Sequence, residues 1–285
     1  MKVPLNINLK GKTAVVTGGG GILCGCFSEA LGICGANVAV LDLRKEAADK
    51  IANKINSRGG NAIGIEANVL EIDSLLEAEK LIMDKFGPCN ILINGAGGNH
   101  PKGTTSNEFL TSEDLKSKSE NLITFFDLDL EGFEFVFNLN FIGTLLPTQV
   151  FAKKMINQKG AVIINISSMN AFRPLTKIPA YSAAKAALSN FTRWLAVHLS
   201  KVGIRVNAIA PGFFLTDQNR NLLINKDGTY SPRAVKILSH TPMQRFGVPE
   251  DLVGTFLWLV DEEASGFVNG IIVPVDGGFS AYSGV

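Results

Sequence analysis

The chain has 285 residues, 46% hydrophobic and 19% charged, with a formal net charge of +1. That apolar content excludes a disordered chain, and the near-neutral charge supplies no field to draw it to nucleic acid or an anionic membrane surface. The length suits one large α/β domain with a core of its own.

The N-terminal stretch MKVPLNINLKGKTAVV has no signal-peptide apolar run, and no uninterrupted apolar stretch reaches the roughly 18–20 residues of a bilayer span, so no membrane partner is expected. Cys24, Cys26, Cys34 and Cys89 lack CxxC pairing, and three of them fall in one predicted helix. Neither a metal site nor a disulfide framework is expected, and a reducing cytoplasm is the expected setting.

In chain order, short apolar β-branched runs fall at 13–17, 38–41, 62–65, 91–93, 161–166, 204–209 and 271–275. Most are apolar on both faces, as strands of a buried parallel sheet are. Helical patterns lie between them at 22–35, 44–58, 71–86, 131–157, 179–202 and 249–261. The alternation predicts a single doubly wound α/β domain over residues 1–285, with a parallel sheet of about seven strands and helices on both faces. Two stretches break the alternation: a polar insertion at 98–130 and a long irregular segment at 212–247. Both follow strands at their carboxyl ends, where open parallel sheets bind ligands, and both are expected to wall a substrate site.

After the first predicted strand, Thr17-Gly18-Gly19-Gly20-Gly21 opens a helix at Ile22. Such a turn lets backbone approach a pyrophosphate, whose charge sits at the helix N-terminus. Asp42 ends the second strand 24 residues after Gly18, a placement suited to the 2′-hydroxyl of an adenosine ribose. A carboxylate there repels a 2′-phosphate, which favours NAD over NADP, although Arg44 two residues on is of the type that accommodates one. Asp42 also reads as a helix cap.

Tyr181 and Lys185 stand four residues apart on an amphipathic helical pattern, so both emerge on one face. Ser168 ends the strand AVIINIS thirteen residues before Tyr181, and Asn140 lies in FNLNFIG on the preceding helix. With Thr17-Gly18, Asn94-Gly95-Ala96-Gly97, Pro211-Gly212 and Asp276-Gly277-Gly278, these residues make the chain similar to the short-chain dehydrogenase/reductase family over nearly all of its length. The resemblance implies a Rossmann fold and a catalytic tetrad of Asn140, Ser168, Tyr181 and Lys185. It implies a cofactor site drawn from Gly18, Gly20, Gly21, Ile22, Leu23, Asp42, Asn68, Val69, Asn94, Ala96, Gly97, Tyr181, Lys185, Pro211, Gly212, Phe214 and Thr216. It also implies a homotetramer, with Phe267–Val275 suited to one contact.

The chemistry of such a tetrad is direct. Hydride transfer at an alcohol carbon needs a partner that exchanges a proton with the alcohol oxygen. A free phenol has a pKa near ~10, and bringing it toward ~7 takes about 4 kcal/mol in favour of the phenolate. Burial acts in the opposite sense, so a close cation in a semi-enclosed site is required, which Lys185 together with the positive oxidised nicotinamide ring is expected to supply. Ser168 is expected to hydrogen-bond the substrate oxygen, and Asn140 to hold a water on the way from Lys185 to solvent. Where the family carries glycines this chain has Ile22 and Cys24, whose Cβ atoms are expected to push the first helix slightly outward. Asn68 stands where an aspartate contacting adenine is common, and its amide is expected to take that role.

Within the family, the chain most resembles the D-mannonate oxidoreductase (fructuronate reductase) branch. The residues are GGGGILCG at 18–25, GAGGNHP at 95–101, SMNAFRPLTK at 168–177, Pro211-Gly212-Phe213-Phe214 and the ending DGGFSAYSGV. This implies a sugar-acid pair, D-fructuronate and D-mannonate. Asn99, His100, Asn170 and Arg173 are the candidate substrate contacts, with Arg173 suited to a bidentate carboxylate. His100 as loop packing, Asn170 as a turn former and Arg173 as a surface residue are the plainer readings. Gln218, Asn219 and Arg220 are expected to close over the substrate. The phenylalanine-rich run at 125–141, Trp194 and Trp258 read as core packing. The alternatives are a gluconate or polyol dehydrogenase of the same family, and a non-catalytic dinucleotide-binding regulator.

Overall fold

The computed structural model describes residues 7–116, 122–216 and 220–284. Gln218 and Asn219, and part of the insertion at 98–130, lie outside the described residues. The first half runs β1 (Thr13–Thr17), α1 (Ile22–Ile33), β2 (Asn37–Asp42), α2 (Lys45–Ser57), β3 (Asn61–Glu66), α3 (Ile72–Phe86) and β4 (Ile91–Asn94). The second half runs α4 (Leu130–Phe137), α5 (Gly143–Met155), β5 (Val162–Ile166), α6 (Pro179–His198), β6 (Arg205–Pro211), α7 (Arg220–Leu223), α8 (Pro232–Ser239), α9 (Glu250–Val260), α10 (Glu262–Ser265) and β7 (Ile272–Val275). Each predicted strand is present within two residues of its expected ends.

The strands form one parallel sheet in the order β3-β2-β1-β4-β5-β6-β7. The chain therefore winds outward from β1 in one direction and, after β3, resumes at β4 on the other side. The crevice at this switch, beyond the carboxyl ends of β1 and β4, is where doubly wound sheets take ligands. Register levels the strand ends around it, with Thr17 opposite Asn94 and Asn94 opposite Asn165.

β1, β4, β5 and β6 are buried along their whole length because helices cover both faces. One apolar cluster, with Val16, Phe27, Val40, Ile93, Ile164 and Phe256, lies under α1, α2 and α9. Phe27 stacks on Phe256 at 4.3 Å between centroids. The other, with Val15, Leu75, Ile82, Leu92, Phe151 and Ile163, lies under α3, α5 and α6. Burying each such side chain contributes about 1.5–3 kcal/mol.

The structure corrects two expectations. The helix expected over 131–157 is interrupted: α4 and α5 are joined by a π turn, Asn138–Ile142. Extra residues in a turn of this kind displace side chains from the helical stripe, and π turns recur at functional sites. Taken together, Leu130–Met155 is long and apolar enough by length and composition to cross a bilayer, although Glu131, Glu134, Asn138 and Asn140 interrupt it. In the fold it packs on the sheet, with Phe151 and Met155 fully buried.

The aromatic residues there are not core. Phe125, Phe126, Phe135 and Trp194 are exposed, and Phe133, Phe137 and Phe141 are only partly buried. Phe141 meets Phe191, Phe191 stacks on Trp194 and Trp194 stacks on His198, while Phe125 pairs with Phe126 and Phe133 with Phe137. Phe125 and Phe126 lie in the short turn before α4, while Phe135 is exposed on α4 and Trp194 on α6. Trp258, by contrast, packs against the first cluster.

Candidate active site

The site is assembled where the ends of β1, β4 and β5 meet the start of α6. The Thr17 hydroxyl ties the first two together, accepting from the backbone of Gly95 at 3.1 Å and Ala96 at 3.3 Å. Gly18 has φ +62°, and a Cβ there would sit 2.9 Å from the Ala96 backbone. Only glycine permits that approach. α1 begins after Gly21 with no side-chain cap and no acidic residue in its first turn. Its N-terminal N–H groups therefore face outward as an anion site. Ile22 and Leu23 sit beside them, Ile22 exposed.

The Cys24 side chain packs against the loop that follows β4. Its sulfur fills the space where a side chain on Gly95 would lie, so room comes from β4. Burial pushes the thiol up to about 12.

Asp42 is held from two sides. One carboxylate oxygen accepts from Gly20 N at 3.1 Å and the other from Arg44 N at 3.1 Å. Its side chain is mostly enclosed, while that of Arg44 is exposed. The Asp42 side chain does not cap α2; the cap position is Arg44. Asn68 is committed to the entry of α3: its Oδ1 accepts from Leu70 N at 3.1 Å and its Nδ2 donates to Glu71 at 2.7 Å. Both ends of the expected adenine-binding amide are thus already used locally. Val69 is buried.

Asn94 points into the core. Its amide donates to Thr148 at 3.0 Å and to Asn165 at 2.9 Å, and Asn165 donates to Thr192 of α6 at 2.9 Å. Thr148 donates to the Thr144 carbonyl, and Thr144 to the carbonyl of Asn140. A continuous buried chain of hydrogen bonds thus links the π turn to the helix that carries Tyr181 and Lys185. Asn94 Oδ1 has no hydrogen-bond partner among the described residues, so the chain of bonds runs through the Asn94 amide nitrogen alone.

Asn140 is fully buried, placed by the π turn. Its amide donates to the carbonyls of Gly98 and Val136, each at 2.7 Å, and its oxygen accepts from Gly98 N at 3.2 Å. A Cβ on Gly97 would lie 2.7 Å from Asn140 Oδ1 and 3.2 Å from Lys185 Nζ. The backbone at 97 therefore borders the same small space as both side chains. Lys185 is buried, donates to the Ile166 carbonyl at 2.8 Å, and lies 5.6 Å from the centre of the Tyr181 ring. Burial draws its ammonium down to about 8.

Ser168 accepts from Asn170 N at 3.2 Å, which orients the hydroxyl at the head of the short turn Met169–Ala171. Tyr181 is half-buried. Burial raises its phenol above the ordinary value, with a hydrogen bond to Ser168 opposing the rise. The protein alone therefore holds a neutral phenol at neutral pH. Asn140, Ser168, Tyr181 and Lys185 are brought together.

The remaining candidates divide. Pro211 ends β6 and Gly212 N donates to the Val275 carbonyl at 2.9 Å. Phe214 is buried against Gly247 and lines a cavity of about 220 Å³ with Met243, Arg245 and Asp276, apart from the tetrad. Thr216 precedes α7, accepting from Arg220 N. Asn99 donates to Thr104 at 3.1 Å; His100 accepts from Lys102 N at 3.2 Å and packs on Phe135. Both serve loop structure. Asn170 is buried and its Oδ1 has no hydrogen-bond partner among the described residues. Arg173 is exposed, and its Nε donates to the Ser280 carbonyl at 3.1 Å. That link to the C-terminal tail, and the Cys24–Gly95 fit, had no signal in local sequence spacing.

Residues 12–227 match the model of the short chain dehydrogenase family. The chain is 59% identical over 285 residues to an uncharacterised oxidoreductase of Haemophilus influenzae, covering 100% of this chain and 99% of that one. A crystal structure of a Haemophilus influenzae protein provisionally named D-mannonate oxidoreductase, with bound NAD, aligns with TM-score 0.94 at 58% identity, covering 100% of both chains. More distantly, 2-dehydro-3-deoxy-D-gluconate 5-dehydrogenase of Dickeya dadantii is 31% identical over 280 residues, 96% of this chain and 97% of that one.

Proposed function

The chain belongs to the short chain dehydrogenase family, and on that premise we propose that this oxidoreductase transfers a hydride between NAD(H) and a keto–hydroxy pair of sugar acids, D-fructuronate and D-mannonate. The observation that carries the chemistry is the grouping of four side chains: Ser168 is hydrogen-bonded to Tyr181, the Tyr181 ring lies 5.6 Å from Lys185 Nζ, and Lys185 shares the space beside Gly97 with Asn140. The dinucleotide supplies or accepts the hydride. The residues present fit it: the bare Gly18 and Gly97 backbone and the uncapped start of α1 leave the cradle that its phosphates and ribose need. Asp42, its oxygens each holding one backbone N–H, keeps a lone pair per oxygen for ribose hydroxyls and repels a 2′-phosphate.

The four side chains divide the work. Ser168 donates to the substrate carbonyl oxygen and steadies the charge that develops there. Tyr181, neutral in the free protein, gives its proton to that oxygen during reduction and takes one back during oxidation. Lys185 favours the phenolate left behind and holds ribose hydroxyls. Asn140, gripping Gly98 through both its amide groups, fixes the loop after β4 beside Lys185 and leads the proton on to water.

The sugar-acid assignment is supported by the name given to the 58% identical NAD-bound relative, and by Asn170 and Arg173 on the turn after Ser168. The relationship to a keto-deoxy-gluconate 5-dehydrogenase favours a second reading, a 5-keto sugar acid. The exposed aromatic face of α4–α6 suits the expected homotetramer, which sedimentation of the intact protein tests. The free cysteines accord with a cytoplasmic setting.

The decisive assay follows NADH oxidation with D-fructuronate, 5-ketogluconate and D-fructose, repeated with NADPH. Turnover of D-fructuronate with NADH is expected to lead, and Tyr181→Phe is expected to cut it by about 10²–10⁴-fold while NADH binding persists. Near-normal turnover in that variant refutes the tetrad. Preference for the neutral ketose refutes the acid.

A further inference from the structure

We propose that Asp276 is a positioning residue for the substrate carboxylate, acting through the C-terminal tail on Arg173. The proposal rests on the reading of Arg173 as the carboxylate anchor. Asp276 directly follows β7, two strands away from the turn that carries Arg173. Its two carboxylate oxygens accept from Gly278 N and Ser280 N, each at 2.9 Å. Gly277 and Gly278 both have left-handed φ, so the tail turns sharply around this carboxylate. Phe279 then packs edge-on against Phe213 at 5.3 Å, beyond the end of β6. Ser280 arrives beyond the end of β5, where its carbonyl accepts from Arg173 Nε at 3.1 Å. The tail thus runs from the end of β7 past the end of β6 to the guanidinium that follows β5.

The chemistry of that last contact makes it selective. A guanidinium has five N–H donors, and the two η nitrogens form the fork that matches a carboxylate. The tail uses Nε alone, and no hydrogen bond or ion pair to the η nitrogens exists among the described residues. Holding Nε fixes the plane of the group and leaves the fork for an acid, which reduces the ordering an exposed arginine needs on binding. Asp276 makes no contact with substrate in this scheme. It sets the tail, and the tail sets Arg173.

The test compares Asp276→Ala and Arg173→Ala, using D-fructuronate, D-fructose and a fluorescence titration of NADH. Asp276→Ala is expected to raise KM for D-fructuronate about tenfold, with kcat, KM for D-fructose and NADH affinity within about twofold of the parent. In the Arg173→Ala background it is expected to add nothing. A chain ending at Phe279, which retains Asp276 but lacks the Ser280 carbonyl, is expected to show the same signature, and it serves if Asp276→Ala does not fold. If Arg173→Ala raises KM for the acid and neither tail variant does, this proposal falls and the arginine reading stands. If Arg173→Ala affects acid and neutral ketose alike, the arginine reading falls and takes the proposal with it. Equal effects of the tail variants on both substrates or on NADH affinity also overturn it, since a merely structural tail behaves that way.

Discussion

Cys24 and Gly95 face each other between α1 and the end of β4, the sulfur occupying the place a side chain on residue 95 would take. The thiol is neutral at physiological pH, because burial pushes it up to about 12 while the charge of Lys185 opposes the rise only in part. It packs as a small apolar group. The two positions form a size-matched pair at the root of the glycine turn.

That pairing predicts non-additivity. Gly95→Ala alone should lower the unfolding free energy by about 1–3 kcal/mol, the usual cost of overpacking. Adding Cys24→Gly should recover most of the loss, apart from roughly 1 kcal/mol for glycine in a helix. Urea unfolding of the four proteins measures the coupling, and simple additivity would show that they do not share the space.

Asp42 governs coenzyme choice by its charge beside the Gly20 and Arg44 amides. Asp42→Ala removes the repulsion and leaves the exposed Arg44 without its acidic neighbour. The preference for NADH over NADPH, taken as the ratio of kcat/KM values, should fall at least about tenfold. An unchanged ratio sinks this role.

Lys185 gives stability a signed pH dependence. Its folded value is about 8 against an ordinary 10.5, so between those limits the unfolded chain binds more protons here and stability rises with pH. Below about pH 8 the cost of burying the ammonium is present in full, on the order of 3 kcal/mol. Tyr181 acts oppositely above about pH 10, where the unfolded phenol ionises and the folded one does not. The wild type should therefore gain on Lys185→Met from about pH 8 to about pH 10 in denaturant titrations. A constant difference would mean that the lysine is not depressed.

Asn170 carries a buried oxygen without a protein partner. If a substrate hydroxyl fills that need, Asn170→Ala should reduce kcat/KM for D-fructuronate about tenfold while leaving stability level or higher, because an unsatisfied acceptor is removed. Loss of stability together with unaltered kinetics would assign Asn170 to the fold.

The sequence by itself determined the sheet and put Tyr181 and Lys185 on one helical face. Apolar β-branched runs such as TAVVT and AVIINI, of strand length and bounded by turns, read as strands covered on both faces, and Tyr181 and Lys185 share a face because a helix returns every 3.6 residues. Such signals are local, and the chain states them directly. The tertiary structure decided what depends on contacts between distant segments. It placed Asn140 through a π turn that the helical period hid, and turned Asn94 into the core and Asn68 onto its own helix. It left the aromatic run on the surface, made room for Cys24 at Gly95, and brought Ser280 to Arg173 across 107 residues. Spacing along a chain cannot encode these, because each is a choice between partners that only packing brings within reach.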